Sequence, residues 1–225
     1  MKTSAVIIAR TGSKRLPNKL YREFKGKSLI ENKINQLIHT KVDEIIVGSD
    51  DEKLEKLCKK FKKKKVIFFK RQKRFCDEIS TTPNQMISNM LGFFKTDVVL
   101  WAHITNPLTD YKHYNKALDI FINNRKKGFD SLHSVSIMKK FFWDAKGNPM
   151  NHKPLEKSHT LLSSDKIKPY YVANGAIFIR LQKDMIRDGR FWGKRRFMYK
   201  MNFVDGWDID TQWELDSCQL NSFKI

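Results

Sequence analysis

Short apolar runs alternate with segments of helical periodicity, and this alternation constrains the fold of the chain more than any other feature. The first run, residues 4–9, is apolar and contains β-branched side chains, which is typical of a strand buried on both faces of a sheet. Further strands are predicted at 44–48, 66–69, 98–102 and near 131–136, and helices at 29–40, after Asp51, at 82–94 and at 111–124. The alternation predicts an α/β fold: an open, mostly parallel sheet with helices on both faces. In such sheets ligands bind beyond the carboxyl ends of the strands.

The regular alternation stops between residues 138 and 172. This segment is rich in turn-forming residues and has no long helical pattern. We expect an irregular lid or a dimerisation arm within a single domain of residues 1–225. The pattern then resumes with strands at 174–179 and 197–204 and a C-terminal helix from Thr211.

The chain of 225 residues carries a formal charge of +20, and the run Lys59–Lys65 supplies six of its cations. The run favours the solvated end of a helix, where cations complement the helix dipole. A basic, non-catalytic nucleic-acid-binding protein is the alternative from another class, although the sequence has no zinc-finger spacing and no repeat. A third interpretation is a field that attracts anionic substrates.

No run of eighteen apolar residues is present, so we expect no membrane span. The apolar start is also too short for a secretory signal. The three cysteines fit neither a disulfide framework nor a zinc site; they are Cys58, Cys76 and Cys218. Reduced thiols and a cytoplasmic location are the expectation.

The loop after the first strand combines a sharp turn with four cations. Gly12 permits the turn, and the cations are Arg10, Lys14, Arg15 and Lys19. Exposed backbone N–H groups and cations together suit a phosphate group. A solvated basic loop is the alternative in so basic a chain. The spacing matches neither a P-loop nor a dinucleotide-binding loop.

Two carboxylates, Asp208 and Asp210, follow the last predicted strand. Alternation along an extended segment points both side chains the same way. Such a pair can share a hard divalent cation and leave positions for phosphate oxygens and water. The alternative is that one of them only caps the following helix.

These motifs, in this order, resemble the nucleotidyltransferases that make CMP-activated acidic sugars, the CMP-sialic acid synthetase-like family. The first loop resembles that family's A-R-x-x-S-K-x-x-P-x-K signature, with matches at Ala9, Arg10, Ser13, Lys14, Pro17 and Lys19. Asp208 and Asp210 match the family's D-I-D-T-x-x-[DE] motif. The tripeptide Arg15-Leu16-Pro17 is also similar to the related CMP-Kdo synthetases.

Three further segments resemble the same family. Residues 71–82 resemble the segment that recognises cytosine and ribose, with Arg71, Asp77, Ser80 and Thr82 at corresponding places but Gln72, Phe75 and Cys76 as departures. Residues 174–178 resemble an N-G-A-I-Y strand whose asparagine, here Asn174, faces the acceptor. His103 stands where the family has a glutamine that meets the acceptor; an acceptor contact and a proton acceptor are both open, as is a merely hydrogen-bonded histidine.

The resemblance implies a Rossmann-like nucleotidyltransferase fold and a CTP-dependent cytidylyltransferase that releases pyrophosphate. It also implies Mg²⁺ on Asp208 and Asp210, and a homodimer. Lys19, Arg10 and Asp210 are the expected catalytic residues. The expected substrate-binding residues are Arg10, Ser13, Lys14, Arg15, Lys19, Arg71, Ser80, Thr82, His103 and Asn174.

The acceptor is less constrained than the nucleotide. Sialic-acid-type synthetases have an arginine just before the N-G-A-I-Y strand to bind the sugar carboxylate, whereas this chain has Ser163–Lys168, in which Lys166 or Lys168 would replace it. A sialic-like nonulosonic acid, Kdo, a phosphonate and a small phosphorylated compound such as phosphoglutamine all stay open as acceptors. Each would belong to the synthesis of a bacterial surface polysaccharide or capsule.

Overall fold

A seven-stranded sheet forms the centre of the molecule in a computed structural model, which describes residues 1–10, 12–76, 80–152, 163 and 166–221. Its strands are β1 (Thr3–Ile8), β4 (Glu44–Ser49), β5 (Val66–Lys70), β6 (Val98–Trp101), β7 (Ser131–Met138), β8 (Tyr170–Leu181) and β9 (Arg196–Met201). A separate hairpin contains β2 (Glu23–Phe24) and β3 (Lys27–Ser28). The order across the sheet is β5-β4-β1-β6-β8-β7-β9, and only β8 runs antiparallel to its neighbours. The predicted α/β fold with a mostly parallel sheet is confirmed.

Six α-helices are present in the described part of the chain. They are α1 (Leu29–Ile38), α2 (Glu52–Lys60), α3 (Pro83–Leu91), α4 (Tyr111–Arg125), α5 (Gln182–Asp188) and α6 (Gln212–Asn221). The helix starts follow from side-chain caps: Ser28 and Thr82 form capping boxes, and Asp51 and Asp110 accept bonds from the first turns of α2 and α4.

The helices cover both faces of the sheet. Ala5 and Ile7 of β1 pack in a core that includes side chains of α1, α2 and α4. Val6, which points the other way, packs in a second core with side chains of α3 and α5. All three are fully buried, which explains why β1 reads as a continuous apolar run instead of an alternating one.

Three elements differ from the sequence prediction. The helix α5 and the hairpin β2–β3 were not predicted, and β8 begins at Tyr170, inside the segment expected to be irregular. Residues 139–152 form turns and a bridge between Trp143 and Pro149. Much of residues 153–165 lies outside the described part, so the lid or dimerisation role of 138–172 stays a prediction, which sedimentation equilibrium would decide for the dimer. Within the described residues, no helix is both long and apolar enough to cross a membrane.

Candidate active site

The candidate site lies where β1, β4 and β6 end. Arg10 and His103 follow β1 and β6 by two residues each. Because β8 is antiparallel, its N-terminal half extends past the end of β6: Phe178 pairs with Trp101, and Gly175 lies beyond that pair. Gly175 has φ +74°, and a Cβ there would lie 3.3 Å from His103 Nδ1 and 3.9 Å from a carboxylate oxygen of Asp208. Glycine therefore allows the backbone of β8 to approach both side chains.

The first loop and the closing carboxylates are in direct contact. Lys19 Nζ donates to the carbonyl of Ile209 at 3.0 Å and to Asp210 Oδ1 at 2.8 Å. Arg15 Nη1 lies 2.7 Å from the other oxygen, Asp210 Oδ2. The Lys19 side chain is 12% exposed and that of Arg15 is 69% exposed. Lys19 is thus a fixed part of the site, whereas Arg15 lies at its solvent side, where it can exchange Asp210 for an anionic ligand.

Asp208 and Asp210 fit a hard divalent cation such as Mg²⁺. Partial loss of solvent around Asp208 raises the pKa of its carboxyl group, although the residue is still accessible to solvent. A hydrogen bond from Thr105 opposes this rise, and the nearby Asp210 carboxylate adds to it. A cation between two repelling carboxylates relieves that cost. Among the described residues, no group of three or more His, Cys, Asp or Glu side chains could hold a metal. Phosphate oxygens and water would have to complete the coordination.

The D-I-D-T-x-x-[DE] spacing has a local structural cause. Glu214 Oε2 accepts from the backbone N–H of Asp210 at 2.9 Å, from that of Thr211 at 2.7 Å and from the Thr211 hydroxyl at 2.8 Å. The N–H of Glu214 donates back to Thr211 Oγ1 at 3.3 Å. Thr211 and Glu214 thus form a capping box at the start of α6. This box fixes the backbone of Asp210, so neither aspartate has to cap the helix.

Arg71 is a buried cation with unused donors. It follows β5, its backbone N–H donates to the carbonyl of Ser49, and its Nη2 donates to the carbonyl of Phe75. Its Nε and Nη1 are buried and have no partner among the described residues. Because buried donors are costly when left unpaired, a ligand with acceptor atoms fits this position.

For the other predicted nucleotide contacts, the described part of the structure gives no feature that points to a ligand. Ser13 is half-buried, and Lys14 and Ser80 are exposed. Thr82 is the N-cap of α3, where its hydroxyl accepts from Gln85 N–H at 3.3 Å. Asp77 lies outside the described residues. The substrate roles of these residues stay predictions.

His103 is a neutral imidazole at neutral pH. Burial among protein atoms and the nearby Lys33 ammonium lower its pKa to about 4, and Asp210 opposes the shift. The ring lies 5.7 Å from Phe178 and 6.1 Å from Phe191, centroid to centroid. A group with so low a pKa is a weak proton acceptor, so the surroundings favour a hydrogen-bonding contact over a base.

A match to a family of known proteins agrees with this geometry. The sequence model described as "Cytidylyltransferase" matches residues 4–224. The chain belongs to the cytidylyltransferase family. It is therefore a CTP-dependent nucleotidyltransferase, and the matched range includes both the loop of residues 10–19 and the Asp208–Asp210 pair.

Individual cytidylyltransferases align with nearly the whole chain. The pseudaminic acid cytidylyltransferase of Campylobacter jejuni strain 81-176 is 27% identical over 98% of this chain and 96% of its own length. The N-acylneuraminate cytidylyltransferase of Streptococcus agalactiae strain NEM316 is 23% identical over 94% of this chain but only 51% of its own. A solved CMP-2-keto-3-deoxy-manno-octonic acid synthetase in complex with CTP superposes along the full length of both chains, with a TM-score of 0.68 and 15% identity, and shares the fold.

Sequence reasoning missed two parts of this cytidylyltransferase site. One is a buried polar network around Asn106, which we name the polar support. Fully buried Lys33 donates to the carbonyl of Asn106 at 2.8 Å and to the Tyr114 hydroxyl. Asn106 Nδ2 in turn donates to the carbonyl of Asn174 at 2.9 Å. The other is an aromatic wall formed by Phe178, Phe191 and Trp192 beside His103; Phe178 stacks on Phe191 with centroids 4.6 Å apart. Neither has a sequence signal, because no fixed spacing joins their residues.

Asn174 belongs to the support as well as to the predicted acceptor site. It is buried; its Oδ1 accepts from the Ser134 hydroxyl and its Nδ2 donates to Ser136 Oγ at 3.1 Å. These bonds fix the amide against β7. A contact between Asn174 and the acceptor stays a prediction.

Proposed function

We propose that this cytidylyltransferase transfers CMP from Mg²⁺-CTP to a nonulosonic acid, releases pyrophosphate and serves the synthesis of a bacterial surface polysaccharide. The observation that carries the proposal is the junction of Lys19 and Arg15 with Asp210, next to His103 and the aromatic wall. At the carboxyl ends of the parallel strands, this arrangement combines cations for phosphates, carboxylates for a metal and a less polar surface for a second substrate.

On the nucleotide side, Arg10, Ser13, Lys14, Arg15 and Lys19 would bind the triphosphate and then the departing pyrophosphate. Nε and Nη1 of Arg71, which have no partner among the described residues, would donate to acceptor atoms of cytosine. Lys19 is held between the Ile209 carbonyl and Asp210, so its charge is preorganised and costs little reorganisation during the reaction.

In the reaction, the acceptor hydroxyl oxygen forms a bond to the α-phosphorus of CTP while the bond from that phosphorus to the bridging oxygen breaks. The electron pair of the broken bond leaves with pyrophosphate, and the hydroxyl proton passes to solvent water. Asp208 and Asp210 would hold Mg²⁺, whose chemistry when bound is to neutralise phosphate charge and stabilise charge on the leaving group. The residues of this chain contribute position and charge, which is the main requirement of phosphoryl transfer.

The acceptor would lie against His103 and the aromatic wall. Trp192 is 40% exposed and its ring lies 5.8 Å from that of Phe178, centroid to centroid; an exposed indole there would suit the apolar face of a sugar. The alignment with a pseudaminic acid cytidylyltransferase over nearly both full lengths supports a nonulosonic acid. Exposed Lys166 or Lys168 would bind the sugar carboxylate as a point charge.

Pyrophosphate release from Mg²⁺-CTP in the presence of single acceptors tests the proposal. The panel contains pseudaminic acid, N-acetylneuraminic acid, Kdo and phosphoglutamine. We expect one of the two nonulosonic acids to give the highest kcat/KM. Preference for Kdo or phosphoglutamine would move the assignment within the family, and no release with any of them would contradict it.

The metal role is tested in the same assay. Asp210→Ala should lower kcat by about a hundredfold or more, because it removes a metal ligand and the partner of Lys19. Asp119→Ala is the matched control. It removes an exposed carboxylate on α4 that pairs with Lys41, and it should leave kcat unchanged. Near-normal turnover by Asp210→Ala would exclude a role for Asp210 in catalysis.

A further inference from the structure

The aromatic wall depends on a short connection, residues 189–195, which we name the aromatic loop. It joins α5 to β9 and carries Phe191 and Trp192. Phe191 contacts Trp101 with centroids 5.0 Å apart, in addition to Phe178 and His103. The loop has no regular secondary structure, so other residues must hold its rings in place.

Asp130 and Ser131 hold the C-terminal half of the loop. Asp130 Oδ2 accepts from the N–H of Lys194 at 2.8 Å, and its Oδ1 accepts from that of Arg195 at 3.2 Å. Ser131 Oγ accepts from the N–H of Gly193 at 2.8 Å and donates to Asp130 Oδ1 at 3.0 Å. Three consecutive backbone donors of the loop are therefore bound by two adjacent side chains at the start of β7.

Arg180 holds the N-terminal half. Its side chain is 2% exposed, its Nη1 donates to the carbonyl of Arg190 at 3.1 Å, and its Nη2 forms an ion pair with Asp188. Arg180 lies on β8, two residues from Phe178 of the wall. The loop is thus tied on both sides of Phe191 and Trp192.

The fit between the loop and Asp130 is close enough to require glycine at position 193. A Cβ on Gly193 would overlap the Asp130 carboxylate. No turn geometry demands glycine there, since the positive φ angles in the described residues are elsewhere. The close approach of Gly193 to the carboxylate is therefore an independent sign that this contact determines the course of the loop.

We propose that Asp130, together with Ser131 and Arg180, is a positioning residue that sets recognition of the acid acceptor by fixing Phe191 and Trp192, and that it does not act on CTP. The inference rests on the proposed function, which places the acceptor at the wall. Asp130 hydrogen-bonds only loop residues and its neighbour Ser131 in the described part of the chain, and it lies on the far side of β8 from the nucleotide loop.

Steady-state kinetics of Asp130→Asn test the inference. The variable substrate is pseudaminic or N-acetylneuraminic acid, whichever the wild type uses better, at saturating CTP, and then CTP at saturating acid. One amide N–H of asparagine would face loop donors, so the loop loses an anchor. We expect the KM for the acid to rise about tenfold and the KM for CTP to stay within about twofold. An unchanged KM for the acid, or equal rises in both, would overturn the inference.

A double-mutant cycle separates positioning from a general structural effect. In a Phe191→Leu/Trp192→Leu background the wall is already lost, so adding Asp130→Asn should change the KM for the acid by less than about twofold. Additive effects would show that Asp130 acts independently of the wall. Asp119→Asn is the control for loss of a carboxylate and should change neither KM.

Failure of Asp130→Asn to fold and absence of activity in the wild type are treated separately. If Asp130→Asn does not fold, Ser131→Ala replaces it, with an expected rise of about threefold in the KM for the acid alone; no rise would overturn the inference. If the wild type releases no pyrophosphate with either acid, the proposed function fails first, in the wild-type measurement, and the inference falls with it.

Discussion

At the scale of single residues, the neutral state of His103 favours a hydrogen-bonding contact among the roles that the sequence left open. With a pKa of about 4, the imidazole offers one donor and one acceptor at pH 7, as the amide of glutamine does. We expect His103→Gln to keep kcat within about fivefold and His103→Leu to raise the KM for the acceptor acid by about tenfold. A loss of a hundredfold or so in kcat for His103→Gln would restore the role of proton acceptor.

The same residue gives a pH dependence of stability. The pKa of His103 in the folded protein, about 4, lies below its ordinary value of 6.5, so the unfolded chain binds more protons between these values. Stability therefore falls as pH decreases through this window, and it is fully present above it. Urea unfolding at several pH values should show a smaller decrease for His103→Gln than for the wild type. Parallel decreases for the two proteins would contradict the prediction.

Site residues that lie in one short motif could be predicted from the sequence, and those that come together from distant parts of the chain could not. The first loop and the Asp208–Asp210 pair are short motifs, so their joint site could be predicted from the sequence. The surroundings of His103 could not, because the aromatic wall combines β8 with the loop after α5. Lys33 was missed for the same reason: its partners Asn106 and Tyr114 are 73 and 81 residues away along the chain.

At the scale of elements, the capping box of α6 connects stability to the site. Glu214→Ala removes the acceptor of three bonds from Asp210 and Thr211. We expect the free energy of unfolding to fall by about 1 kcal/mol, which is typical of a lost cap. Because the Asp210 backbone loses its anchor, kcat should fall by about tenfold as well.

Two variants control this experiment. Glu214→Gln keeps an acceptor oxygen at the same place and should restore most of both losses. Asp216→Asn alters an exposed carboxylate on the same helix, bonded to Gln212, and should change the free energy of unfolding by less than about 0.5 kcal/mol. A stability loss in Glu214→Ala without a loss in kcat would show that the cap does not position Asp210.

Elements with a clear period were predicted well, and short ones were not. The strands β1, β4, β5 and β6 are fully or partly buried apolar runs, and their order along the chain could be read directly. The helix α5 has seven residues and follows β8 without a loop, so it is too short to show a 3.6-residue period. The antiparallel direction of β8 had no local signal, because only the tertiary pairing with β6 and β7 sets it.

At the scale of the whole molecule, two clusters of cations that contribute to the formal charge of +20 lie at opposite ends of the parallel strands. The cations of the first loop lie at the carboxyl ends of the strands. The run Lys59–Lys65 begins in the last turn of α2 and continues toward the amino ends of the strands; Lys65 Nζ donates there to the carbonyls of Thr40 at 2.8 Å and Val42 at 2.7 Å, just before β4. The run therefore contributes to the long-range field and cannot contact a ligand in the site.

This separation predicts how salt acts on the enzyme. Raising KCl from roughly 50 to roughly 300 mM should lower kcat/KM for CTP several-fold, since the Debye length falls below about 10 Å and screens the general field. Reversing the exposed charges with Lys60→Glu, Lys63→Glu and Lys64→Glu should flatten that salt dependence while kcat stays within about twofold, because residues at the site are untouched. Lys65 is kept, as its bonds hold the entrance to β4. If the triple variant instead lost kcat, or if the wild type bound duplex DNA tightly at roughly 150 mM salt and lost that binding in the variant, the lysine run would have a specific partner and not a solvated surface.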